Sequence, residues 1–179
     1  MSERLRLFVA VDLPRDVRGA LAAWAARAAP DGVRLVPEEN LHLTLAFLGS
    51  RSKAQAVAVG ALLPGVAEPL GELRSAGALW LSPRRPTVLT VALSLTPQLQ
   101  ALRTAVSEAL STSVGYEPDR RRFRPHVTVG RVARGMRISN AELPPAPALT
   151  FGADALTLYR SYPGPGGSRY EPLASVPRS

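Results

Sequence analysis

His42-Leu43-Thr44-Leu45 and His126-Val127-Thr128-Val129 are two copies of one tetrapeptide, and between them they hold the only two histidines in the chain. Each copy sets its polar residues at i and i+2 within an apolar alternation. On a β-strand this projects His and Thr from one face while Leu or Val packs the other. Two imidazoles, ordinarily titrating at about 6.5, are suited to share acid and base duties near neutral pH. The paired threonines supply hydroxyl donors for an anion held between them.

The flanking sequence repeats as well. Leu5 to Val11 reads as a strand, and Asp12-Leu13-Pro14 as a helix start with Asp12 near the cap. Val17, Leu21, Trp24 and Ala28 recur at helical intervals, and Pro30-Asp31-Gly32 closes a helix ending at about Ala29. Val33 to Val36 is a short strand and Leu41 to Leu48 the first motif strand. Ser52 caps a helix to about Ala67, and Leu70 to Leu81 reads as a strand. After the Arg84-Arg85-Pro86 turn, Thr87 to Leu95 is a β-branched strand, and Thr96-Pro97 opens a third helix to about Thr112. Pro14 precedes His42 by 28 residues and Pro97 precedes His126 by 29. Two related lobes, about 4–49 and about 86–133, are expected within one domain spanning 1–179, with a pseudo-twofold site between them. Residues 152–160 and 168–176, joined by Pro163-Gly164-Pro165-Gly166-Gly167, form a final hairpin after the stiff connector Pro144-Pro145-Ala146-Pro147.

Composition narrows the chemistry. The 179 residues are 46% hydrophobic and 20% charged, ordinary for a globule with a real core. Lys and Arg number 22 against 14 Asp and Glu, for a net charge of +8. Almost all of it is Arg, suited to bidentate phosphate contact, so the charge reads as an anionic partner or as the codon usage of a GC-rich genome. The absence of cysteine rules out disulfides, thiolate metal sites and a cysteine nucleophile. The apolar run near the start is broken by Asp12 and no stretch reaches about 18 apolar residues, so no signal peptide or membrane span is expected and the cytoplasm is the default location. Two histidines 84 residues apart do not have metal-ligand spacing, and neither a Gly-x-Ser-x-Gly elbow nor a Gly-rich phosphate loop is present. Arg120-Arg121-Arg122-Phe123-Arg124 leads directly into the second motif, with Arg131 and Arg134 beyond it, which suits a polyanion. Strict alternation from His126 places Arg131 on the opposite face, so a role for it in the site requires a twist or bulge at Gly130. Phe8 reads either as a base-stacking side chain of the same groove or as core.

Several segments together resemble the 2H phosphoesterase superfamily, and most closely its RNA 2′,3′-cyclic phosphodiesterase branch, also called 2′,5′ RNA ligases. They are Arg6-Leu7-Phe8-Val9-Ala10-Val11-Asp12-Leu13-Pro14, Asn40-Leu41-His42-Leu43-Thr44-Leu45 with Phe47-Leu48-Gly49, Phe123-Arg124-Pro125-His126-Val127-Thr128-Val129-Gly130-Arg131, and Tyr170-Glu171-Pro172-Leu173. The chain departs from the family at Ala46, where Lys is frequent. The resemblance implies a bilobal α+β fold, with antiparallel sheets flanking a central cleft and helices outside. It implies metal- and cofactor-independent hydrolysis of an RNA 2′,3′-cyclic phosphate to a 2′-phosphomonoester, with reversible 2′,5′ ligation as related chemistry. By carry-over His42 is the proton donor and His126 the proton acceptor; Thr44, Thr128, Arg131 and Arg124, with Phe8 in its stacking reading, are the expected substrate contacts. The implied partner is RNA with a cyclic phosphate end, bound by a monomer that needs neither a membrane nor a second protein. Two alternatives stay open: an RNA-binding module without turnover, and the same chemistry on a small nucleotide such as ADP-ribose cyclic phosphate.

Overall fold

The computed structural model describes residues 3–66, 69–139 and 142–178. Strand β1 (Arg4–Asp12) leads into helix α1 (Arg15–Ala28), short strand β2 (Val33–Leu35) and the first motif strand β3 (His42–Ser52). Helix α2 (Lys53–Leu62) and strand β4 (Leu73–Leu81) follow, then strand β5 (Val88–Leu93), helix α3 (Pro97–Val114) and the second motif strand β6 (His126–Val132). Strands β7 (Thr150–Phe151), β8 (Ala155–Tyr162) and β9 (Arg169–Pro177) complete the chain. The strands are antiparallel and connect in the order β7-β4-β5-β6-β3-β1-β8-β9, with β2 on β6. The α+β class with antiparallel sheets and outer helices is the one expected.

The helix boundaries follow local chemistry. The Ser52 hydroxyl accepts from the Gln55 N–H while the Gln55 side chain accepts from the Ser52 N–H, a reciprocal cap that starts α2. Thr96 accepts from the Leu99 N–H at the start of α3, and Gly115, at φ 62°, ends it in the left-handed conformation. The expected end of the second helix at Ala67 lies outside the described residues; α2 itself stops at Leu62 and passes into a 3₁₀ turn, Leu63–Val66, around Pro64. Asp12 does not cap α1. Pro14 occupies the cap position without a side-chain bond, and the Asp12 carboxylate turns to β8, accepting from Thr157 Oγ1 at 2.7 Å and from the Tyr159 hydroxyl at 2.8 Å. Burial raises the Asp12 pKa against these two bonds.

The sheet buries one face against the helices. Leu7, Val9 and Val11 of β1, Leu43 and Leu45 of β3, Leu89 and Val91 of β5, and Val127 and Val129 of β6 are all buried there. Helix α1 packs on β6 and α3 packs on β3. Each helix therefore covers the motif strand that follows the other one. The Trp24 indole N–H, on the buried stripe of α1, donates to the Pro145 carbonyl and holds the proline-rich connector.

Candidate active site

The two motif strands meet at a single antiparallel pair, Leu43 opposite Val127. One step either way along that register sets His42 level with Thr128 and Thr44 level with His126. Both histidines and both threonines thus occupy the face opposite the helices, around a local twofold axis, and all four are partly exposed.

The histidines are oriented alike. His42 Nδ1 lies 2.7 Å from the carbonyl oxygen of Asn40, and His126 Nδ1 lies 2.7 Å from that of Arg124. A carbonyl only accepts, so each Nδ1 carries the proton and each Nε2 is the nitrogen presented to the cleft. In neutral His42 that Nε2 accepts from the Thr44 hydroxyl at 2.9 Å. Pro37, the 3₁₀ turn Glu38–Asn40 and Pro125 shape the extended approaches that deliver these carbonyls.

A wall of aromatic rings backs His42. Phe8 stacks on it with ring centroids 4.9 Å apart, Tyr170 meets it edge-on at 5.4 Å, and Tyr159 stacks behind Phe8 at 5.2 Å. Phe8 is 2% exposed, so its ring has no free face for a base and its place is the core. This enclosure lowers the His42 pKa to about 4, chiefly through burial; the positive charges of Arg131 and His126 push the same way, against the Asn40 carbonyl.

Arg131 reaches the cleft through a bulge. Leu89 pairs with Gly130 and Thr90 with Thr128, so Val129 and Gly130 together oppose one step of β5 and both face the helices. Arg131 is returned to the face of His126 and Thr128. Gly130 is required there, because a Cβ would lie 2.6 Å from Val33 Cγ1. Strand β3 does the same: Val9 pairs with Ala46 and Ala10 with Thr44, so Leu45 and Ala46 are both buried and Phe47 turns outward, 65% exposed. Phe47 is the pseudo-symmetric counterpart of Arg131. It is not among the expected site residues, although superposing the two motifs aligns it with Arg131. The Arg124 side chain is exposed at the approach to β6 while its carbonyl holds His126. Arg121 pairs with Asp119, and Phe123 is covered by the Arg103 guanidinium 5.0 Å above its ring. No group of three or more His, Cys, Asp or Glu side chains placed to hold a metal occurs among the described residues.

A strand-borne pair of His-x-Thr motifs on an antiparallel sheet, with both Nε2 atoms turned into one cleft, defines a 2H phosphoesterase, and the LigT like Phosphoesterase family matches residues 11–90. The chain belongs to that family. It is 32% identical to the RNA 2′,3′-cyclic phosphodiesterase of Escherichia coli over 97% of its own length and 96% of the relative's. The structure of E. coli LigT in complex with 3′-AMP matches it with a TM-score of 0.78 at 30% identity, covering 99% of both chains. A Thermus thermophilus structure matches with a TM-score of 0.83 at 28% identity over 97% of both.

Proposed function

We propose that the protein hydrolyses the 2′,3′-cyclic phosphate at the end of an RNA to a 2′-phosphomonoester, without a metal ion. The observation that carries this reading is the pair of Nε2 atoms, each fixed by a carbonyl on its own Nδ1, flanking one cleft with Arg131 beside them. The E. coli relative is named for this substrate and its family member has been seen with 3′-AMP bound. In-line displacement at phosphorus needs a base on one side and an acid on the other. His126 Nε2 takes a proton from water as the water oxygen bonds to phosphorus. The P–O3′ bond breaks, and His42 Nε2 gives its proton to the departing O3′. Thr44 and Thr128 donate to the non-bridging oxygens, and Arg131 matches the charge that accumulates on them. Phe47 offers the terminal base an open aromatic face across the cleft from Arg131.

The test is turnover of a short oligoribonucleotide ending in a 2′,3′-cyclic phosphate with chelator present. A 2′-monophosphate product is expected, and His42→Ala and His126→Ala should each lower kcat by about 10²–10⁴-fold. Wild-type rates in both variants would sink this reading. RNA binding without any turnover would instead favour a recognition module.

A further inference from the structure

Arg34 of β2 lies directly opposite Arg131 of β6 in antiparallel register. Two like charges facing each other across a sheet destabilise it unless an opposite charge is supplied. No carboxylate pairs with either one among the described residues, whose ion pairs involve Lys53, Arg74, Arg121 and Arg160. Both guanidinium-bearing residues are exposed. Their shared face is settled by their neighbours: Val33 packs toward Gly130 on the helix side, so Arg34 and Arg131 both project into the cleft. Arg34 uses Nη1 to donate to the Pro165 carbonyl at 2.8 Å, which occupies one of its five N–H donors and leaves four.

We propose that Arg34 forms a second phosphate subsite, which takes the first internal phosphodiester upstream of the reacting end and so selects RNA over a mononucleotide. This rests on the phosphodiesterase reading above, in which Arg131 holds the terminal phosphate. Side chains rooted on directly opposed residues start about 5 Å apart. Each then extends along its own arm, a spread suited to phosphates separated by a single nucleoside. A planar fork of unpaired donors is the geometry that a phosphodiester's two free oxygens accept.

The competing role for Arg34 is purely structural, since it and Asn40 both tie the β8–β9 loop, Asn40 Nδ2 donating to the Ser168 carbonyl at 2.9 Å. The two roles separate by substrate length. We would measure kcat/KM for a nucleoside 2′,3′-cyclic phosphate and for a dinucleotide with one internal phosphodiester and the same cyclic end. The wild type should prefer the dinucleotide by about tenfold, as one charge-assisted contact allows. Arg34→Ala should erase that preference, Arg34→Lys should keep part of it, and a dinucleotide with a neutral methylphosphonate linkage should behave in the wild type as the mononucleotide does. Asn40→Ala, which cuts the side-chain tie to the loop and keeps the backbone carbonyl that holds His42, should lower both substrates in equal proportion. A wild type without preference, or Arg34→Ala lowering both substrates alike, would overturn the subsite. Turnover of neither substrate by the wild type would count against the phosphodiesterase reading, and the subsite would then stand or fall on whether Arg34→Ala weakens binding of a plain tetranucleotide.

Discussion

His42 is neutral in the free protein at pH 7, yet the proposed reaction needs it protonated on Nε2. The conflict resolves through the ligand. One of the influences that hold its pKa at about 4 is the positive charge of Arg131, and an anionic phosphate beside it offsets that charge and favours the imidazolium. The His42 pKa should therefore rise by at least one unit when a nucleoside 2′-phosphate fills the cleft, as ¹⁵N NMR of the imidazole would read directly. A value that stays near 4 with the anion bound would remove His42 from the acid role. The same depression has a stability consequence. An unfolded histidine titrates at 6.5 and the folded one at about 4, so the unfolded state binds more protons between these values and stability falls as pH drops through that window. At full extent this amounts to about 3 kcal/mol. His42→Asn should accordingly lose less stability between pH 7 and pH 4.5 than the wild type does, with chemical denaturation at both pH values as the check. The residue pair was legible from the chain as His-x-Thr in duplicate. The depression is not, because Phe8 of β1 and Tyr159 and Tyr170 of the β8–β9 hairpin all lie far from His42 in sequence.

At the scale of single strands, bulges decide what faces the cleft. Period-two alternation finds His, Thr and their buried partners, then loses register two residues later in both motif strands. In β6 a glycine marks the place, since Gly within a strand signals a bulge or close backbone approach. In β3 the corresponding residue is Ala46, which carries no such signal, so the sequence pattern does not mark Phe47 as facing the cleft. The close approach at Gly130 is testable. Gly130→Ala brings a Cβ within 2.6 Å of Val33 Cγ1, so β2 and β6 must part or the bulge must shift. A cost of about 1–3 kcal/mol is expected, together with a loss of kcat/KM as Arg131 is displaced. Val33→Ala removes the clashing methyl group, so the double variant should recover much of both. Thermal unfolding and steady-state kinetics on the four proteins of this cycle decide it; an unperturbed Gly130→Ala single variant would mean that the bulge does not depend on this contact.

Across the whole molecule the site depends on how the two halves are clasped. Only one residue pair joins β3 to β6, but α1 reaches over to β6 and α3 to β3, so the helices cross-brace the seam on which both histidines stand. The matched spacing of the repeat predicts two related lobes, each offering one motif strand to a shared site; the exchange of helices between them has no signature in a linear pattern, because it is a matter of crossing angle and packing. The net charge of +8 is a property of this same scale, and composition alone is consistent with codon usage or with an anionic partner. Salt separates the two. Arginines that meet phosphates release counterions, so log affinity for single-stranded RNA falls against log salt with a slope of about −0.7 per contact. With Arg131 on the terminal phosphate, Arg34 on the next and Arg124 at the approach, an oligonucleotide should show a slope near −2 in kcat/KM, as about three contacts require. A mononucleotide, meeting Arg131 alone, should show less than half of that. Equal and shallow slopes for both substrates would mean that the surplus arginine is compositional and that the cleft handles only the reacting end.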